Sequence, residues 1–131
     1  MKASDIMRRP VVAATPTATA RDVAIQLLMG EFSGVPIAQS DGSVVGIVTE
    51  LDLIRAVLRA GKALETTLAQ DIMTRDVTTV DRETPMEDVM RVLEEKNIIR
   101  VPVTDQGKLV GVISRSDILR AMIEPTFLRF A

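Results

Sequence analysis

The chain repeats itself once, and that repeat limits its architecture more than any single motif does. Asp5-Ile6-Met7 returns as Asp71-Ile72-Met73, Val11 as Val77, Asp22-Val23 as Asp88-Val89, Leu27 as Leu93, and Val35-Pro36 as Val101-Pro102. The spacing then shortens by one residue in a Gly turn. Beyond it Gly42 meets Gly107, Val45-Gly46 meets Val110-Gly111, Asp52 meets Asp117, and Arg55-Ala56 meets Arg120-Ala121. A turn is where a one-residue gap is tolerated, and a colinear series of this kind means a duplicated unit. Each copy is too small to bury a good core alone, so the two are expected to pack together. The copies are read as residues 1–61 and 62–124, with 125–131 as a C-terminal tail.

Within the first copy, a short helical turn is expected near Ser4–Met7 and an extended stretch at Val11–Ala14. Thr19, with Asp22 three residues on, predicts the N-cap of a helix over Ala20–Gly30, with Val23, Leu27 and Leu28 facing inward at helical spacing. Strands are expected at Val35–Ala38 and Val44–Val48 around a Ser40-Asp41-Gly42 turn, a hairpin pattern. Thr49 then caps a helix to about Arg59, and Gly61 is a natural C-cap for it. The second copy repeats the plan. Thr67 is expected to start a short helix. Thr84-Pro85-Met86-Glu87 reads as a capping box with Pro at the first helical position, opening a helix to about Lys96. Strands are expected at Ile99–Val103 and Leu109–Ile113 around Asp105-Gln106-Gly107. Ser114 caps a last helix that Pro125 is expected to stop near Ile123.

Composition removes several functions. With neither Cys nor His, disulfide and thiolate chemistry are gone, as are the commonest general base and metal ligand. No Walker-type Gly-Lys-Ser/Thr loop or metal-ligand cluster is present, so an enzyme is not expected. Glu94-Glu95 read as a solvated helix face. A net charge of -2 and only three Phe, with no Trp or Tyr, give no field or stacking platform for nucleic acid. No apolar run reaches the about 20 residues of a membrane span, and the opening Met1-Lys2-Ala3-Ser4-Asp5 lacks the apolar stretch of a signal peptide. A cytoplasmic location is the expectation.

Each copy resembles a cystathionine-β-synthase (CBS) domain. The resemblance rests on Asp5-Ile6-Met7 and Asp71-Ile72-Met73-Thr74, on Gly34-Val35-Pro36 and Arg100-Val101-Pro102, and on Gly46-Ile47-Val48-Thr49-Glu50-Leu51-Asp52 and Gly111-Val112-Ile113-Ser114-Arg115-Ser116-Asp117. It covers the chain from about Ala3 to Glu124. It implies an α/β fold of two βαββα-type repeats packed with pseudo-two-fold symmetry, usually dimerised. It also implies an adenosine-type ligand (AMP, ADP, ATP or S-adenosylmethionine) in clefts between the repeats, no required cofactor, and a regulatory role toward an unknown effector protein.

The residues offer a physical basis for such a site where the last strand of each copy enters the last helix. Gly111 is expected to let a ligand approach the backbone closely. Ser114 and the free N–H groups of the helix start make an anion site. Asp117, one turn on, can accept two hydrogen bonds from a ribose diol, and Arg115 can add a contact to phosphate. By the resemblance, Ser114 and Thr49 hold phosphate while Asp117 and Asp52 hold ribose. The same residues, Thr49-x-x-Asp52 and Ser114-x-x-Asp117, are also plain capping boxes, and Asp52 with Arg55 or Asp117 with Arg120 could be solvated i,i+3 pairs. Capping and binding can coexist.

Candidate slots for the base are Ala14-Thr15 with Gly34-Val35-Pro36, and Thr79-Val80 with Ile99-Arg100-Val101-Pro102. The resemblance pairs Asp117 with the Val35 slot and Asp52 with the Val101 slot; the alternative is that these are core strands. Glu50 stands where the second copy has Arg115, so the Asp117 cleft is expected to favour nucleotides, unless Arg100, Arg8, Arg9 or Lys62 offsets Glu50. The apolar stripes of Glu50–Arg59 and its twin are wider than one core contact needs, either because both helices are buried between the lobes or because they form a homodimer interface. The tail, with Phe127, Leu128 and Phe130, is expected to dock on the body or a partner. A competing function is an oligomerising interaction or scaffold protein with vestigial ligand sites.

Overall fold

The duplicated pattern of short strands and amphipathic helices folds, in a computed structural model, into the expected α/β arrangement. Residues 1–9, 11–30 and 34–130 are described, with side chains up to residue 124. The elements are α1 (Ala3–Ile6), α2 (Ala20–Gly30), β1 (Gly34–Ala38), β2 (Val44–Thr49), α3 (Glu50–Leu58), α4 (Ala69–Ile72), β3 (Val80–Asp81), α5 (Met86–Glu95), β4 (Arg100–Asp105), β5 (Lys108–Ser114) and α6 (Arg115–Phe130).

The chain forms two compact units, and they partition it differently from the sequence repeat. One is Val12–Val77; the other joins Met1–Val11 to Thr78–Ala131. Each unit thus takes its Asp-Ile-Met segment from the opposite repeat.

In the Val12–Val77 unit, β1 and β2 pair antiparallel with Gly34 opposite Thr49, and a bulge falls between Ile37 and Ala38. Ala14 bridges β1 in parallel at Ile37, and Thr74 bridges the other edge at Ile47. The branched side chains suit this half-buried sheet. Val35, Ile37 and Val48 pack with Val23 and Leu27 of α2, Leu53 of α3 and Ala69 of α4. The periodicity of α2 therefore places Val23 and Leu27 as expected, but Leu28 lies exposed instead of facing inward, one position round the helix from Leu27.

The second unit repeats the plan. There β4 and β5 pair antiparallel with Arg100 opposite Ser114, β3 lies parallel to β4, and Arg8 bridges β5 at Val112. Gln106 and Gly107 both hold positive φ (52° and 79°), the geometry that a two-residue hairpin loop requires. Val80, Val89, Leu93, Val101, Val103, Ile113 and Ile118 pack with Ala3 of α1.

Three local expectations are corrected. Thr84 does not cap α5. Its Oγ1 accepts the Asp81 amide (3.1 Å) within the preceding turn, Pro85 is the cap residue without a side-chain bond, and the free Met86 N–H donates to the Met1 carbonyl at 2.9 Å. Thr67 does not cap α4 either, because its hydroxyl donates back to the Ala63 carbonyl (2.7 Å) and Leu68 takes the cap position. Helix α6 continues through Pro125 to Phe130. A proline removes one ladder bond and crowds the turn before it, which disfavours a helix without obliging it to end. The side chains of Phe127, Leu128 and Phe130, and hence the docking expected of the tail, lie outside the described residues.

Candidate functional site

The two strand-to-helix junctions are built alike, for a local reason. At each, an extended Ser or Thr ends the strand, and an acid three residues on closes a reciprocal cap. Thr49 Oγ1 accepts the Asp52 amide (3.1 Å), and Asp52 Oδ2 accepts the Thr49 amide (2.9 Å). Ser114 Oγ accepts the Asp117 amide (3.2 Å), and Asp117 Oδ2 accepts the Ser114 amide (2.9 Å). The capping reading of both motifs therefore holds.

The junctions differ in what else reaches the acid. Arg8 Nε donates to Asp117 Oδ1 at 2.6 Å, and Arg120 Nη1 donates to the same oxygen at 3.1 Å. The Asp117 side chain is only 3% exposed. Burial opposes its ionisation, but the Ser114 amide, the Arg8 guanidinium and the Ser114 hydroxyl outweigh burial and hold the carboxyl below its ordinary value. Asp52 is half-buried and meets a neutral donor. The Thr74 hydroxyl is shared between its two oxygens at 3.1 and 3.3 Å, and no described cation lies within ion-pair distance of it. Arg8 and Thr74 are equivalent positions, each following the Met of an Asp-Ile-Met segment.

The expected role of Gly111 as a place for ligand approach is corrected. The Met7 side chain lies over it: a Cβ at Gly111 would fall 2.4 Å from Met7 Sδ, and one at Gly46 would fall 2.4 Å from Met73 Sδ. These glycines make room for the methionine of the segment donated by the other repeat. Their recurrence with Asp-Ile-Met is one packing contact made twice.

Arg115 is exposed and tied back to the Ile98 carbonyl (2.9 Å) and Asn97 Oδ1 (3.3 Å). Among the proposed base contacts, Val35 and Val101 are fully buried core side chains and Val80 nearly so. Gly34, Pro36 and Pro102 are buried with them, Arg100 is partly buried, and Thr15 and Thr79 are exposed. The core alternative therefore holds for the valine side chains. Sequence reasoning did not assign Arg8 and Thr74 to these acids; their shared place after Met7 and Met73 was the available signal. Among the described residues no cluster of three acids could hold a metal ion, and no helix is long and apolar enough to cross a membrane.

Comparison with known proteins agrees with this architecture. The family model described as CBS domain matches twice, at residues 3–59 and 69–124. An uncharacterized protein of Methanopyrus kandleri, MK0525, is 33% identical over 122 residues; the match covers 92% of this chain and 61% of that protein's length. The CBS domain pair of protein MJ0100, solved in complex with 5′-methylthioadenosine and S-adenosyl-L-methionine, superposes with a TM-score of 0.80 at 28% identity, covering 95% of this chain and 98% of that one. CBSX2, solved in complex with AMP, gives 0.83 at 27% identity over the same shares.

Proposed function

Because the chain belongs to the CBS-domain family, with two copies in tandem, we propose that it is a regulatory module that binds an adenosine-type ligand at its strand–helix junctions. The observation that carries this reading is the duplicated cap, in which a hydroxyl, an acid and a helix start stand together at Thr49–Asp52 and at Ser114–Asp117. A carboxylate can take a ribose diol, while a hydroxyl and the amides of a helix start can take phosphate. The similar pairs that carry AMP, or 5′-methylthioadenosine with S-adenosyl-L-methionine, support this ligand class. AMP, ADP, ATP and S-adenosylmethionine are its candidates.

The proposed contacts are Thr49 and Ser114 to phosphate, Asp52 and Asp117 to ribose, and the backbone around Gly34–Pro36 and Arg100–Pro102, with Thr15, Thr79 and Val80, to the base. Arg115 serves phosphate only after leaving Ile98 and Asn97. The role is regulatory and not catalytic, in keeping with a chain that has neither His nor Cys. A thermal-shift panel of these four ligands tests the reading, since a ligand that binds only the folded chain raises the midpoint with concentration. A flat response to all four refutes it.

A homodimer is part of the proposal. Leu51, Ile54, Val57 and Leu58 on α3, and Leu119, Met122 and Ile123 on α6, are exposed. Apolar stripes left uncovered on two equivalent helices favour a symmetric partner. A second reading, a scaffold whose ligand sites are vestigial, draws on the same faces and on the arginines that occupy Asp117. The thermal-shift panel separates the two.

A further inference from the structure

We propose that Arg8 and Thr74 are specificity-determining residues that make the two junctions unequal, with Arg8 closing Asp117 to a ribose diol and Thr74 leaving Asp52 open to one. This rests on the ligand class proposed above and narrows its two ribose contacts to one, at Asp52. A diol needs two acceptor positions on one carboxylate. At Asp117, Oδ1 already holds Arg8 and Arg120 and Oδ2 holds the Ser114 amide, on a side chain 3% exposed. A ribose could bind there only by displacing a charge-assisted bond of 2.6 Å, and two neutral hydroxyls replace such a bond poorly.

At Asp52, Oδ2 likewise holds its cap amide, from Thr49 at 2.9 Å, but beyond that shared cap bond the competitor is a single exposed hydroxyl, lying between both oxygens at 3.1 and 3.3 Å. An incoming diol exchanges one neutral bond for two and uncovers no charge. The assignment of ribose to Asp52 reverses the preference expected from Arg115 and Glu50 alone. Arg115 is held by Ile98 and Asn97, whereas Arg8 sits on the acid itself.

The expected behaviour follows from the repeat register. Placing Thr at position 8 replaces the 2.6 Å guanidinium bond to Asp117 by the kind of hydroxyl that Asp52 meets, with Arg120 kept at its longer 3.1 Å, and placing Arg at position 74 does the reverse. Calorimetric titration of the full chain with adenosine, which carries the diol and no phosphate, reads both changes. The unmodified chain binds about one adenosine per chain, Arg8→Thr binds about two, and Thr74→Arg weakens binding by about tenfold or more. Arg8→Thr removes a partner of a buried carboxylate and could fail to fold; Thr74→Arg changes an exposed position and tests the same claim independently. Unchanged stoichiometry in folded Arg8→Thr, or unchanged affinity in Thr74→Arg, overturns the inference while leaving the ligand class intact. If neither the unmodified chain nor Arg8→Thr binds adenosine, AMP or S-adenosylmethionine, the ligand class falls and the inference with it.

Discussion

Arg8 Nε lies 2.6 Å from Asp117 Oδ1, across 109 positions of sequence. The bond joins the opening segment of one repeat to the last junction of the other, inside one compact unit. It fastens α1 to the start of α6 while occupying the carboxylate to which the family resemblance assigns ribose. The Met7 thioether over Gly111 makes the adjoining apolar contact. The same pair of contacts recurs with Thr74 on Asp52 and Met73 over Gly46.

Removing the guanidinium should destabilise the chain in a pH-dependent way. The folded Asp117 carboxyl titrates below its ordinary value. As pH falls, the unfolded chain therefore takes up this proton first. The resulting stability is complete above the unfolded carboxyl pKa of about 3.9 and is lost as pH drops through the lower folded one. Arg8→Ala should cost about 1–2 kcal/mol at neutral pH, since Arg120 and the Ser114 amide remain. The gap to the unmodified chain should narrow below about pH 4. Urea unfolding at neutral and acidic pH measures both; a gap independent of pH would deny the ion pair its role.

Gly46 and Gly111 should resist even a methyl group. A Cβ at either would press on a methionine side chain, 2.4 Å from Sδ and no more than 3.1 Å from that methionine's Cβ. Gly111→Ala and Gly46→Ala should each cost about 1–3 kcal/mol, the range for overpacking. Adding Met7→Ala to Gly111→Ala should cost less than the two changes summed, because they share one contact. Additive losses in denaturant unfolding would contradict the packing account.

The exposed faces of α3 and α6 should set the oligomeric state. Ile54 and Met122 are each more than half exposed. Sedimentation velocity should find a dimer at micromolar concentration, and the double variant Ile54→Asp with Met122→Asp should sediment as a monomer. A monomer before substitution would leave these stripes without the partner assigned to them.

Much of the fold was legible because the repeat prints each element twice. Short apolar runs at Val35–Ala38 and Ile99–Val103, turn residues at Gly42 and Gly107, and helical spacing at Val23 and Leu27 locate the two hairpins and helices α2, α3 and α5 to within a residue or two, whereas α6 runs on to Phe130, past the end expected near Ile123. Local chemistry misled where tertiary partners competed for the same group. Thr84 has the look of a cap, but its hydroxyl is taken by Asp81, and the backbone of Met1 supplies what α5 lacks. Gly111 suggests an open approach, yet Met7 fills it from the other end of the chain. Those two contacts, like that of Arg8 with Asp117, depend on which repeat donates its opening segment to which sheet. Hydrophobic periodicity carries no record of that exchange, since both copies present the same pattern.

The central claim is that these caps also hold an adenosine-type ligand, and calorimetric titration of adenosine and AMP into the unmodified chain and into Asp52→Ala and Asp117→Ala tests it most directly. Saturable binding to the unmodified chain, weakened by about tenfold or more in Asp52→Ala, is the predicted result. No binding to the unmodified chain, or undiminished affinity in both variants, would contradict it.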